Sequence, residues 1–424
     1  MDCLYYDYIL SDRPIVIKDQ FWKDTICHPL MYRLRYLNQV GNINQITMNC
    51  DQNRYSHSLG TGYLISKILP EHIESSERDK AIFAGLCHDL GHGPFSHSLE
   101  HFILPRLGIN EWKHEEYSVT FCKKIFDSIN EPTFDFKGIE NIFEKGTTDG
   151  STDVFQLVSN KVTGFDADRN DYLVRDSFMI QKPLAVDFNR IHKGLQFKKD
   201  FNNKRYCQVL TVDAVKELDN FLNYRYQMFN DFYHIPETLG VELMVADIFY
   251  EAEPYSEFSK KIFEEEYFIN CDDSILRRFK EFNHLSKSLR TLFDDFEHRR
   301  FYQHFGDVVF KEDVFEGQSK EERKKMVERV NNEINELIEP VLGKESICYA
   351  VMSVDSHKDV NLNQVLVEYE EDHVDNLTKN EELVSIFKRK KKNYLRFFVK
   401  NANGKEFAKS SLEKWKNRNK SIFH

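Results

Sequence analysis

Cys87-His88-Asp89-Leu90-Gly91-His92-Gly93-Pro94-Phe95-Ser96-His97 decides how this chain reads. Three histidines and an aspartate crowd into it, and two glycines and a proline break the backbone among them. The apolar run from Lys80 to Leu90 predicts a helix that ends on the His-Asp pair. Imidazole and carboxylate together suit borderline-to-hard divalent metals. Sixteen histidines make a His-Asp dipeptide an ordinary coincidence, so its meaning rests on ligands supplied from elsewhere in the chain.

Two segments offer them. Arg54-Tyr55-Ser56-His57 opens a predicted helix, Tyr55 to Leu69, with Leu59, Tyr63, Leu64 and Ile68 as its apolar stripe. Phe165 to Tyr172 packs Asp166, Asp168 and Asp171 into six residues at the start of another, Phe165 to Met179. Aspartates favour a first helical turn. That preference leaves Arg169 and Tyr172 among them unexplained, whereas a bound cation would relieve the crowding of three carboxylates.

The rest of the first 190 residues reads as helical, with Ser96–Leu104 and Glu115–Phe126 as further candidates. Residues 194–210 read as a β-hairpin with an Asn-rich turn. Pro236 fits the first turn of a helix through Phe249. Met326–Ile338 carries a packing stripe of Val327, Val330, Ile334, Leu337 and Val341. Ile347–Val354, Val365–Tyr369 and Tyr394–Val399 read as strands of one small antiparallel sheet closing the chain. The basic run Lys388–Lys392 reads as a solvated loop or helix end, with a phosphate, nucleic-acid or partner contact as the lesser reading. No repeat or low-complexity linker divides the 424 residues. The expected division is a helical catalytic domain, 1–250, and an α+β C-terminal lobe, 251–424.

The totals exclude several classes. No apolar stretch reaches eighteen residues, so no membrane span is expected. The N-terminus lacks a basic start and an apolar run, which excludes a secretory signal and favours the cytoplasm, or the nucleus in a eukaryote. Eight scattered cysteines without a CxxC pair argue against zinc fingers and disulfide frameworks. A net charge of −11 argues against broad nucleic-acid binding, so a polyanionic substrate would need a local cluster of Lys and Arg.

The order His57, His88-Asp89, Asp168 resembles the HD-domain metal-dependent phosphohydrolases. The surrounding words MYRLRYLNQVGN (31–42), RYSHSLGTGYL (54–64), AGLCHDLGHGPFSHSLE (84–100), WKHEEYSV (112–119) and FDADRNDYLVRD (165–176) are similar to one branch. That branch is the HD-type deoxynucleoside triphosphate triphosphohydrolases, among them the SAM-and-HD-domain enzymes. The likeness covers roughly residues 15–310, and more thinly the tail, and no SAM domain is expected because the chain opens close to the first motif. It implies a mainly α fold: an HD-domain helical metallo-phosphohydrolase core with a small β-hairpin and an α+β C-terminal lobe. It also implies a metal held by His57, His88, Asp89 and Asp168. Iron, manganese, nickel, cobalt or zinc suits that set, with Mg²⁺ or Mn²⁺ accompanying the substrate phosphates.

The resemblance assigns proton transfer and orientation to His92, His97, Glu100 and His114. His97 is expected to protonate the leaving 5′ oxygen of a dNTP, while metal-activated water attacks the α-phosphorus. Glu100 stands where the family has Asp, one methylene longer. Arg54, Arg169 and Arg225 are expected on phosphates, and Gln39, Val40, Tyr172, Asp176 and Tyr233 around the sugar, an aromatic ring against its 2′ carbon excluding ribonucleotides. His72 and His101 are read as structural. Relatives are dimers or tetramers, so a homo-oligomer is expected. Regulated relatives bind a guanine nucleotide; here Cys27 and Tyr32 replace the effector-binding residues while Arg35 matches, which favours constitutive activity or another effector. The rival readings are another HD phosphohydrolase activity, on nucleoside monophosphates, cyclic nucleotides or single-stranded nucleic acid, and a non-catalytic nucleotide- or nucleic-acid-binding scaffold.

Overall fold

A computed structural model describes residues 3–419, apart from 8, 12–14, 130–131, 147–152, 201–204, 312–314, 316–317, 359 and 372. The fold is mainly α, as expected. Four helices, Arg54–Ile68, Ser75–Cys87, His114–Ser128 and Ala167–Met179, surround the motif residues. They belong to one large apolar core whose buried members run from Ile15 to Leu383, with Phe83, Phe121, Phe221 and Phe249 among the largest. Short strands β1 (Cys3–Tyr5) and β2 (Ile15–Ile17) pair ahead of it.

The predicted hairpin forms as β3 (Leu195–Asp200) and β4 (Arg205–Thr211); its Asn-rich turn lies outside the described residues. The remaining strands are β5 (Gln303–Phe310), β6 (Ile347–Asp355), β7 (Leu366–Glu370), β8 (His373–Asn376) and β9 (Lys391–Val399). They do not make the single antiparallel sheet expected. β9 is the central strand between β5 and β6, whereas β7 leaves them and pairs parallel with β4, Val209 opposite Leu366, with β8 outside it. The sequence pattern of β7 identifies a strand but not its partner, because edge pairing is decided by tertiary approach.

One face of the β5–β9–β6 sheet packs on helices Lys320–Leu342 and Lys405–Arg418 through Val330, Ile334, Phe397, Leu412 and Trp415. The other meets helix Pro236–Ser256 through Leu239, Met244, Tyr394 and Phe398. Burial on both faces accounts for the nearly continuous apolar run in β9. Of the stripe on the Lys320–Leu342 helix, Val341 is exposed rather than packed. The Pro236–Ser256 helix runs unbroken through residue 250, so a division at that point falls inside an element. The basic run leads into β9 rather than ending a helix; Arg389 pairs with Asp355 and Lys390 Nζ donates to Asn223 (2.7 Å). Among the described residues no helix is long and apolar enough to cross a membrane.

Candidate metal and catalytic centre

His57 sits one turn into the Arg54–Ile68 helix, which Asn53 caps by accepting from Ser56 N. His88 is the C-terminal cap of Ser75–Cys87, and Asp168 lies in the first turn of Ala167–Met179. Their donor atoms converge. His57 Nε2 lies 3.2 Å from His88 Nε2, 3.1 Å from Asp168 Oδ1 and 3.7 Å from Asp89 Oδ2. His88 Nε2 lies 3.3 Å from Asp89 Oδ1 and 3.5 Å from Asp168 Oδ1.

The fit of a metal can be tested on this geometry. Ligands bonded at about 2.1 Å to one cation stand about 3.0 to 3.4 Å apart in octahedral or tetrahedral arrangements. Both imidazoles also have Nδ1 engaged, His57 with Asp171 Oδ2 (2.7 Å) and His88 with Gly85 O (2.8 Å). In the neutral rings the proton therefore belongs on Nδ1, which leaves both Nε2 atoms turned toward one point where a shared cation can sit. Burial disfavours charge on His57, yet Asp168 and Asp171 raise its imidazole to about 10, the mark of a pocket built for positive charge. These residues can hold a divalent metal.

Each crowded aspartate has its own task. Asp166 Oδ1 caps the helix by accepting from Arg169 N (2.8 Å), Asp168 faces the ligand cluster, and Asp171 fixes His57. Asp171 is itself clamped by Arg175, Nη2 to Oδ1 at 2.7 Å, and Arg175 Nη2 also reaches Asp7 Oδ2 at 2.9 Å. A Cβ at Gly60 would fall 2.0 Å from Asp171 Oδ1, so only glycine lets this pair approach the His57 helix. The sequence marks Asp171 only as one of three crowded aspartates and gives Arg175 no role, although i,i+3 and i,i+4 spacing from Asp168 and Asp171 places all three on one helix face.

After Asp89 the backbone turns sharply. A Cβ at Gly91 would meet His114 O at 1.9 Å, and Gly91 N donates to Ser118 Oγ (2.8 Å). The helix predicted from Ser96 begins one residue later, at His97, and runs to Arg106 with a π-helical turn, Leu99–Ile103, inside it, because Phe95 and Ser96 both adopt left-handed conformations, φ 60° and 56°. Such residues are strained by about 1 kcal/mol or more each and persist only under outside restraint. That restraint is visible: Phe95 N donates to Asp273 Oδ1 (2.6 Å), Ser96 Oγ to Asn38 O (2.6 Å), and Arg33 Nη2 to His92 O (2.7 Å).

The loop assembles a second group beside the ligands. His92, 2% exposed, stacks on His114 at 4.0 Å between centroids, and its Nε2 lies 3.3 Å from Asp89 Oδ1. Burial, with Arg54 adding to it, holds His92 far below its ordinary value and so uncharged. His114 Nδ1 meets Glu100 Oε2 at 3.0 Å, and His97 Nδ1 lies 3.8 Å from the same oxygen. Glu100 therefore reaches both rings despite its extra methylene. Burial opposes its charge, but His114 and His97 outweigh that and hold its carboxyl well below the usual range. His97 is the exposed member, its side chain 57% accessible, and its ring lies parallel to His101 at 5.7 Å.

The arginines are more committed than the sequence implies. Arg54 is 2% exposed and bonds Asp89, Ser96 Oγ (2.6 Å) and Gln39 O (3.2 Å). Arg169 pairs with Asp166. Arg225 Nη1 donates to Lys358 O (3.3 Å), and its Nε has no partner among the described residues. Among the sugar candidates, Asp176 accepts from Gln52 Nε2 (2.8 Å) and Tyr233 Oη (2.6 Å), and burial raises it to about 6. Tyr172 stands between His57 and Tyr233, with ring centroids at 6.5 and 6.2 Å. Gln39 is buried with Oε1 unpartnered among the described residues, and half-buried Val40 follows it. Arg35 lies between the Tyr32 and Tyr55 rings, at 4.5 and 4.0 Å.

Residues 54–171 match the HD domain family. The chain is 29% identical over 296 residues to a deoxynucleoside triphosphate triphosphohydrolase SAMHD1 homolog of Dictyostelium discoideum, covering 66% of this chain and 56% of that one. It is 29% identical over 265 residues to deoxynucleoside triphosphate triphosphohydrolase SAMHD1 of Homo sapiens, covering 54% and 42%. The protein of that name from Gallus gallus is 32% identical over 213 residues, covering 42% and 34%. The chain thus spans about half the length, or less, of these curated relatives.

Proposed function

We propose that this chain, an HD-domain protein, hydrolyses deoxynucleoside triphosphates to deoxynucleoside and inorganic triphosphate. The observation that carries the reading is the pairing of two adjacent groups. Four donor atoms at ligand spacing lie beside a separate histidine and carboxylate cluster suited to proton transfer. A divalent metal on His57, His88, Asp89 and Asp168 would supply Lewis acidity toward a phosphoryl oxygen and a water of lowered pKa.

The protein's own groups supply the rest. His97, exposed and next to buried His92 and half-buried His114, gives a proton to the departing 5′ oxygen. Glu100 fixes His114 by accepting from Nδ1, and His114 stacks on His92 to hold the catalytic loop square to Asp89. Arg54 acts as a positioning residue, joining Asp89 to Ser96 and to the Gln39 backbone. Asp176, already oriented by Gln52 and Tyr233, is the acceptor for a 3′-hydroxyl. Tyr172 closes the sugar pocket against a 2′-hydroxyl.

Other HD phosphohydrolase substrates share the metal set; the oriented Asp176 beside Tyr172 favours a deoxynucleotide over them. The test is product analysis over all dNTPs and NTPs with Mn²⁺ or Mg²⁺, with and without a second nucleotide. The expected products are deoxynucleoside and triphosphate from dNTPs alone. Release of only pyrophosphate or only orthophosphate overturns the reading.

A further inference from the structure

β6 ends in a turn, Asp355 to Lys358, closed by Lys358 N donating to Asp355 O (3.3 Å). The turn is pinned from three directions. Arg389 pairs with Asp355. Ser356 and Lys390 exchange two bonds, Ser356 N to Lys390 O and Lys390 N to Ser356 Oγ, both 2.8 Å. Asn361 N donates to Val162 O (2.8 Å), tying the segment after the turn to the chain just before the Asp166–Asp168 cluster. A turn held in this way presents one side chain at a fixed place.

That side chain is Lys358, which is exposed and has no ion-pair partner among the described residues. Its carbonyl accepts from Arg225 Nη1 (3.3 Å), and Arg225 is 8% exposed with a buried Nε that nothing among the described residues satisfies. A half-satisfied buried guanidinium costs stability unless a ligand completes it. His234 Nδ1 is also buried without a partner among the described residues. Lys358 lies close enough to His234 and to His101, the neighbour of His97, for its charge to act on both. An unpaired ammonium and an unsatisfied guanidinium at one edge of the histidine cluster form a local cationic rim in a chain of net charge −11.

We propose that Lys358, delivered by the C-terminal lobe, is a phosphate-binding residue of this site and acts with Arg225 on the distal phosphates of the substrate. This rests on the phosphohydrolase reading above. Lysine serves phosphate as a mobile point charge and arginine as a directional fork, so the two complement each other.

The test is calorimetric binding of inorganic triphosphate to the full chain and to its Lys358→Gln, Lys358→Arg and Lys414→Gln variants, alongside dNTP kinetics. Lys358→Gln should weaken triphosphate binding about tenfold and raise KM with little change in kcat. Lys358→Arg should restore most of the affinity, and Lys414→Gln, an exposed lysine of the last helix, should match the wild type. Equal affinity in wild type and Lys358→Gln overturns the role of Lys358 and leaves the phosphohydrolase reading intact. A wild type that neither binds triphosphate nor releases it from dNTPs overturns that reading and this proposal with it.

Discussion

Asp273 carries no signature in the sequence, yet it ties together the two segments on which the candidate centre depends. Its Oδ1 accepts from Phe95 N at 2.6 Å and its Oδ2 from Asn38 N at 2.8 Å. One bond restrains the left-handed Phe95–Ser96 step; the other fixes the strand of chain leading to Gln39. Asp273→Ala removes both acceptors and leaves two amides without partners. A backbone N–H bonded to a charged group contributes about 1.5–3 kcal/mol, and Asp273 is only partly buried by its surroundings, so a combined local loss of about 3 kcal/mol is expected. That corresponds to roughly hundredfold faster exchange at the two amides if both open with the carboxylate gone. Hydrogen exchange followed by mass spectrometry on peptides covering residues 36–41 and 92–98 reads both sites at once. Asp273→Asn keeps one acceptor and should accelerate one segment more than the other. Unchanged exchange in both segments of Asp273→Ala would refute the claim that this carboxylate holds the loop.

Three other outcomes are expected. Replacing His88 and Asp89 together by alanine should abolish bound divalent metal, measured by elemental mass spectrometry, and dNTP turnover with it; retained metal at full stoichiometry places the centre elsewhere. Arg175→Met removes the guanidinium that pairs with both buried Asp171 and Asp7 and leaves them only their bonds to His57 and Tyr5, so urea unfolding should show a loss of about 3 kcal/mol, and a change under 1 kcal/mol would mean the cluster is not electrostatically coupled. Glu242, buried beside Asn42, is raised from 4.5 to about 7 by burial. The folded state therefore holds an extra proton between those values, and this group's contribution to stability is lost as pH rises from about 4.5 through 7. Glu242→Gln should remove up to about 3 kcal/mol of that slope, seen as a smaller difference in unfolding free energy between pH 5 and pH 8; an unchanged slope assigns the titration to another group.

What the sequence disclosed follows from how local each signal is. The helices bearing His57, His88 and Asp168 announce themselves by apolar period and by caps, and the ligands lie at their ends, where breaks such as Gly91 are visible in the text. Ser96–Leu104 reads as a helix and is one from His97 on, but its start is not legible, because Asp273, Asn38 and Arg54 hold Phe95 and Ser96 left-handed, a decision made by distant atoms. β7 was readable as a strand but its parallel partner was not. Arg54 and Arg169 look like phosphate ligands by charge and position; the bond of Arg54 to Asp89 appears only when two segments meet, whereas Arg169 pairs with Asp166 three residues away at the start of its own helix. Lys358 had no motif at all, since nothing in the chain near it hints that a turn of the last sheet reaches Arg225.

The parallel union of β4 with β7 has a consequence for synthesis. Roughly 150 residues separate Thr211 from Leu366, so on a ribosome adding about 5–20 residues per second the hairpin waits on the order of ten to thirty seconds for its neighbour. During that interval the open side of β4 is a bare template for any extended peptide. A nascent chain stalled before residue 366 should therefore recruit a holding chaperone or aggregate, and a peptide spanning 362–377 supplied in trans should suppress that fate.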